Sequence, residues 1–259
     1  MVLLRILLRI IGVTLWIVSS LVLILFQPLW PSRLQQRIIC NWSGLLLWIL
    51  GVSVHLKGDM PQGGALLVAN HLSWLDIFVI NCHRATHFVA KSEIRTWPVL
   101  GFLVTRAGTF YLDRGRGRDA LRVMQDIRAI LGQGEWVALF PEGGIGDGKT
   151  IHTFRSFLFE SVAGHALEVC PLAICYVDSQ GKPHTAPAWF DIPFVLSFIR
   201  IISARRIIAE ILVCKSIMGN DRRMLAHEAR ESIMNGLGFP LGSTVHSKKL
   251  SIVKTHRSQ

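Results

Sequence analysis

The chain has 259 residues, enough for one sizeable domain with appendages and a real core. Hydrophobic residues make up 51%, the mean hydropathy is +0.41 and the net charge is +11, so an apolar segment and an anionic partner are both expected. The five cysteines are odd in number and form no Cys-x-x-Cys pair, which excludes a disulfide framework and a standard zinc site and fits reduced thiols facing the cytosol.

From Ile10 to Ser32 there is no charged residue, and Arg5 and Arg9 precede the run. Its length just suffices for a hydrocarbon core of about 30 Å. Three placements are open: a spanning helix with a cytoplasmic N-terminus, a signal peptide, or an anchor lying in one leaflet. A signal peptide lacks a good small-residue cleavage site beyond Ser19-Ser20. A second apolar segment, Ile38 to His55, either pairs with the first as a helical hairpin or packs on the soluble domain. Trp30, Trp42 and Trp48 suit an interfacial level.

After Lys57 short apolar runs alternate with glycine- and proline-marked turns. "ALLVAN" (65–70), "THFVAK" (86–91), "AGTFYLDR" (107–114), "WVALF" (136–140) and "VCPLAICYV" (169–177) read as strands. "RDALRVMQDIRAILGQG" (118–134) is an amphipathic helix with Leu121, Met124, Ile127, Ile130 and Leu131 on one face, stopped by Gly132 and Gly134. "SFIRIISARRIIAEIL" is an amphipathic helix or an edge strand, with Arg200, Arg205 and Arg206 toward headgroups or solvent. "NDRRMLAHEARESIMNGLG" (220–238) is a capped terminal helix, followed by the basic tail "HSKKLSIVKTHRSQ". The alternation predicts an α/β domain with a mostly parallel central sheet flanked by helices, behind an N-terminal hydrophobic helical hairpin. The division is 1–56 for membrane-anchoring helices, 57–215 for a catalytic domain and 216–259 for the C-terminal helix and tail.

Three stretches carry candidate chemistry. In "NHLSWLD" His71 and Asp76 cannot meet on one helix, because five residues turn through about 500°. They can meet if His71 lies in the loop after a strand and Asp76 in the first turn of the next helix, at the sheet edge where open α/β folds place their sites. The carboxylate then holds the imidazole as a general base. Alternatively Ser73 and Asp76 form a capping box and His71 is an ordinary loop residue. In "FPEGG" (140–144) the glycines let backbone amides approach a ligand, or simply make a turn around a solvated Glu142. In "GTFYLDRGRGR" Arg114, Arg116 and Arg118 suit phosphate or headgroups, or are a solvated run with Asp113 and Asp119. Cys82, His83 and His87 do not make a metal site, since the strand beginning near His87 breaks the helical spacing. Gly-x-Ser-x-Gly and the nucleotide-binding glycine loop are both missing from the sequence.

"NHLSWLD", "GTFYLDRG", "FPEGG" and "VCPLAI", in this order, resemble the glycerolipid acyltransferase family, which includes 1-acylglycerol-3-phosphate and lyso-ornithine lipid acyltransferases. "AKSEIRTWPVLGFL" (90–103) resembles it too, and the likeness covers about residues 57 to 215. The resemblance implies that His71 is the catalytic base and Asp76 its orienting partner. It ties Arg114 and Lys91 to the acceptor headgroup, and Pro171 to the acyl donor. Glu142 and Gly143 match the third block; Asn70, Ser73 and Gly144 complete the blocks and are assigned with them to substrate binding. It further implies no cofactor or metal. Acyl-CoA or acyl carrier protein would be the co-substrate, a lysolipid the acceptor and membrane lipids the surroundings. The catalytic domain would sit on the cytosolic face of the inner (cytoplasmic) membrane, with no nucleic-acid partner. One departure stands out: where many phosphatidate-forming members read Glu-Gly-Thr-Arg, this chain reads Glu142-Gly143-Gly144-Ile145. Arg155 or Lys149 could restore the missing charge, and lyso-ornithine lipid stands beside lysophosphatidate as acceptor. The rival functions are a membrane-tethered acyl thioesterase and a non-enzymatic lipid-binding protein.

Overall fold

A computed structural model describes residues 2–97, 100–112 and 117–239. The chain opens with α1 (Val2–Phe26), a short 3-10 turn (Gln27–Leu29) and α2 (Ser32–Leu50). Gln35 Nε2 donates to the Gln27 and Trp30 carbonyls, fixing the turn between the two helices. The Trp16 indole N–H donates to the Trp42 carbonyl and the Trp42 indole to Ser20 Oγ, so these rings stack between the helices. Trp42 therefore lies within the hairpin, whereas Trp48 is 76% exposed.

Among the described residues only the first helix, through Leu29, is long and apolar enough to cross a membrane. The second is amphipathic: Ser43, Leu46, Leu47 and Leu50 are buried, and the helix packs on the domain. Both placements open to the second apolar segment are thus met, since α2 pairs with α1 and packs on the domain, but the helix covers only the first part of Ile38–His55. Gly51 takes a left-handed conformation (φ 75°) and ends α2, and the alternating Val52–Lys57 becomes strand β1. The sheet consequently starts inside the segment assigned to the anchor.

The remaining elements are β2 (Ala65–Ala69), α3 (Leu75–Asn81), β3 (His87–Lys91), α4 (Leu100–Arg106), β4 (Phe110–Leu112), α5 (Gly117–Gly132), β5 (Val137–Leu139), β6 (Glu168–Val177), α6 (Phe194–Ser203), β7 (Ile207–Val213) and α7 (Arg222–Gly236). The seven strands lie in the order β1-β7-β6-β2-β5-β3-β4. All neighbours are parallel except β6 and β7, so the sheet is mostly parallel with β7 and β1 reversed. The stretch read as a helix or an edge strand supplies both α6 and an internal strand. The terminal helix starts at Asp221, whose carboxylate accepts from the Arg223 and Met224 amides. The basic tail lies outside the described residues.

Strand β2 is buried throughout because both faces of the sheet are covered. Leu67 and Ala69 pack with Leu46, Leu75, Val79 and Ile201 on one side. Leu66 and Val68 pack with Met124, Ile127 and Leu131 of α5 and with Ala229 and Ile233 of α7 on the other. Leu121, placed on the same helix face by periodicity, is instead 51% exposed.

Two arginines tie α1 to the domain. Arg5 donates to the Ser203 carbonyl, and Arg9 to those of Ile202 (3.0 Å) and Ala204 (2.6 Å). These carbonyls end α6, where helical partners run out and the helix dipole is negative. Arg9 is buried, and a Cβ on residue 51 would overlap its guanidinium, a second reason for Gly51. Arg9→Ala is expected to lower the unfolding free energy by about 2–3 kcal/mol, the scale of charge-assisted hydrogen bonds. Arg5→Ala, with one such bond, should cost less. Thermal melts in detergent check this, and equal losses would contradict it.

Candidate active site

At its C-terminal end β2 runs into the loop that carries His71. Asn70 prolongs the pairing with β6: its Nδ2 donates to the Ile174 carbonyl (2.9 Å), and its Oδ1 accepts the Ile174 amide (2.8 Å). Both ends of the amide are engaged, and the residue is buried. Asn70 therefore aims the loop and, contrary to the expectation from sequence, does not line the cavity described below.

The loop then turns into α3 around Asp76, which is fully buried. Asp76 Oδ2 accepts from His71 Nδ1 (2.9 Å), the Leu72 amide (2.8 Å) and the Ser73 amide (2.9 Å). Its Oδ1 accepts the Tyr176 hydroxyl at 2.6 Å. The capping and catalytic alternatives are thus not exclusive. The carboxylate reaches back to the Ser73 amide as a capping box does, while the same oxygen holds the histidine. Ser73 is buried and its Oγ accepts the Leu75 amide, so it too shapes the turn and does not face the cavity.

Because the carboxylate only accepts, the neutral form of His71 carries its proton on Nδ1, which leaves the lone pair on Nε2. Nε2 has no hydrogen-bond partner among the described residues. The imidazole stacks on Phe140, with centroids 3.9 Å apart and planes 12° from parallel. Burial, and then the adjacent Asp76 charge, push the Tyr176 phenol well above its ordinary pKa, so it remains a donor.

Strand β5 supplies the second wall. After Phe140 the chain turns through Pro141 to Gly143, whose φ of 74° favours glycine. The Glu142 carboxylate accepts the His71 amide (3.3 Å) and the His152 amide (2.9 Å). The Gly146 amide in turn donates to the His71 carbonyl at 2.6 Å. The backbone of His71 is clamped from both sides by this loop. Burial raises the Glu142 pKa, opposed by the amides of His152 and His71.

His71, Gly143, Gly144, Lys91 and Arg155 line one cavity of about 1540 Å³. Its other walls are mainly apolar and come from both N-terminal helices, including Ile17, Leu23, Ile39 and Leu46, and from the aromatic side chains of Trp74 and Phe198. Pro171 is buried in β6 opposite Val68 and does not reach the cavity, which corrects its placement in the site. Arg114 and Arg116 lie outside the described residues. Two participants escaped sequence reasoning: Tyr176 and Phe140. The one available signal was a tyrosine in a buried strand, which needs a partner for its hydroxyl.

Residues 51–175 match the family model described as Acyltransferase. A 1-acyl-sn-glycerol-3-phosphate acyltransferase of Neisseria gonorrhoeae is 30% identical over 207 residues, covering 78% of this chain and 81% of that one. A lyso-ornithine lipid O-acyltransferase of Pseudomonas aeruginosa is 31% identical over 204 residues, covering 78% and 79%. The crystal structure of the 1-acyl-sn-glycerophosphate acyltransferase PlsC of Thermotoga maritima superposes with a TM-score of 0.59 at 19% identity, over 91% of this chain and 94% of that chain, so the fold is shared. With the identity extending well beyond the four blocks into most of both sequences, the chain belongs to the glycerolipid acyltransferase family and is an acyltransferase.

Proposed function

We propose that the chain is a membrane-bound enzyme that moves a fatty acyl group from a thioester, acyl-CoA or acyl carrier protein, to the hydroxyl of a lysolipid. The observation that carries this reading is His71 at the wall of a large apolar cavity, with Asp76 on Nδ1 and no partner on Nε2 among the described residues. His71 Nε2 takes the hydroxyl proton as the oxygen attacks the thioester carbonyl. The carbon–sulfur bond then breaks, and the imidazolium returns the proton to the departing thiolate. Asp76 fixes the tautomer and stabilises the imidazolium. No acyl-enzyme is required.

The cavity exceeds the ~300–1,000 Å³ of ordinary ligand sites and has room for acyl chains. Its walls include the hairpin, and α1 exposes Leu4, Leu8, Leu15 and Leu25, which suits lipid entering from a bilayer. The cytosolic leaflet of the inner membrane is the natural site, since thioester donors are cytosolic, and the basic surface favours anionic lipid. Lysophosphatidate and lyso-ornithine lipid are the candidate acceptors, as acted on by the relatives named above.

Purified protein in mixed micelles, with radiolabelled thioester and each acceptor, tests this reading. Label is expected in one diacyl product and is lost with His71→Ala. Release of free fatty acid at the same rate with or without acceptor would instead favour the thioesterase. Asp76→Asn should lower kcat by roughly 10³–10⁴, because the amide cannot serve all its donors and frees the wrong tautomer. Glu142→Gln should cost about 1–3 kcal/mol by leaving one backbone amide without an acceptor. It should also flatten the pH dependence of stability. A raised folded-state pKa gives stability that is complete below the unfolded glutamate value and is lost as pH rises through the folded one. Melts across pH read both effects, and an unchanged slope would contradict the assignment.

A further inference from the structure

The turn after β5 lacks a cation where the sequence reads Gly144-Ile145, yet an anionic acceptor would place its headgroup close to the hydroxyl that His71 serves. A cation reaches this spot from elsewhere in the chain. The Arg155 amide donates to the Pro141 carbonyl at 3.0 Å, which brings residue 155 back beside the turn. Its guanidinium then lies over Gly143: a Cβ on residue 143 would sit 2.6 Å from Arg155 Cζ and Nε. Glycine at 143 is thus required twice, for its positive φ and for the space that the guanidinium occupies.

Arg155 lines the same cavity as His71, Gly144 and Ile145, and it is exposed toward it. It makes no ion pair among the described residues, so its guanidinium is available to a ligand. Arg106, another arginine on the cavity wall, instead faces the Phe102 ring at 5.9 Å. A Cβ on Gly144 would meet nothing within 4 Å, which leaves open space beside the guanidinium.

We propose that Arg155, held over Gly143, reads the acceptor by pairing its planar fork with an oxyanion of the headgroup. This deepens the acyl-transfer reading and rests on it. A phosphate monoester and an amino-acid carboxylate both offer that oxyanion, and the choice between them falls to experiment.

The test uses the full-length protein in mixed micelles with three acceptors: lysophosphatidate, lyso-ornithine lipid and the uncharged monoacylglycerol. Arg155→Gln is expected to raise KM for the anionic acceptor roughly ten- to a hundredfold relative to monoacylglycerol, on the scale of lost charge-assisted hydrogen bonds. KM for the thioester should stay constant. Arg155→Lys keeps the charge but loses the fork, and should fall between. A loss confined to lysophosphatidate identifies phosphate, and one confined to lyso-ornithine lipid identifies carboxylate. Intact transfer with an unchanged KM ratio, or an equal rise for all three acceptors, overturns the assignment of Arg155 alone. A wild-type protein that acylates none of the three overturns the acyl-transfer reading and this assignment with it.

Discussion

Asp76 is a charge with no exposure to solvent, and such a group is tolerated only when its oxygens are fully engaged. Its four donors come from two parts of the chain: the histidine and two amides of its own loop, and a tyrosine on β6. The placement of His71 depends on this. The loop can turn from β2 into α3 only around that carboxylate, and the carboxylate can stay buried only because β6 brings Tyr176 to its far oxygen. Asn70, one residue before the histidine, locks the same two strands together through Ile174. The general base of the proposed reaction is therefore held by the centre of the sheet.

The hairpin and the catalytic sheet are equally hard to separate. Helix α2 contributes Leu46, Leu47 and Leu50 to the core before the chain enters the sheet at β1. Helix α1 closes the cavity on one side and caps α6 through Arg5 and Arg9 on another. An anchor that merely tethered the domain would need no buried arginine. Here the apolar helix is part of the wall of the cavity that His71 faces, which places the proposed chemistry at a fixed depth relative to any surface that α1 enters.

Much of this was legible in the sequence, for identifiable reasons. The buried runs at β2, β5 and β6 stand out because parallel strands covered on both faces are continuously apolar. The His71–Asp76 spacing pointed to a strand–loop–helix turn, and that is the arrangement found. What could not be read depends on contacts distant along the chain. Tyr176 lies far from Asp76 in sequence, and no local pattern links them. The roles of Asn70 and Ser73 are invisible to spacing, because the residues that occupy their polar atoms are set by strand register and turn geometry. Strand β1 was hidden by the apolar helix before it, with Gly51 the only punctuation. The boundary at residue 57 fell late for the same reason.

The most direct test of the central claim is the tautomer of His71. In protein carrying ¹⁵N-labelled histidine, ring-nitrogen shifts measured in micelles above the titration range distinguish a proton on Nδ1 from one on Nε2. The Asp76 carboxylate requires the proton on Nδ1 and a bare Nε2 toward the cavity, with that preference lost in Asp76→Asn. A proton on Nε2 in the wild-type protein would leave no base facing the cavity and would contradict the role given to His71.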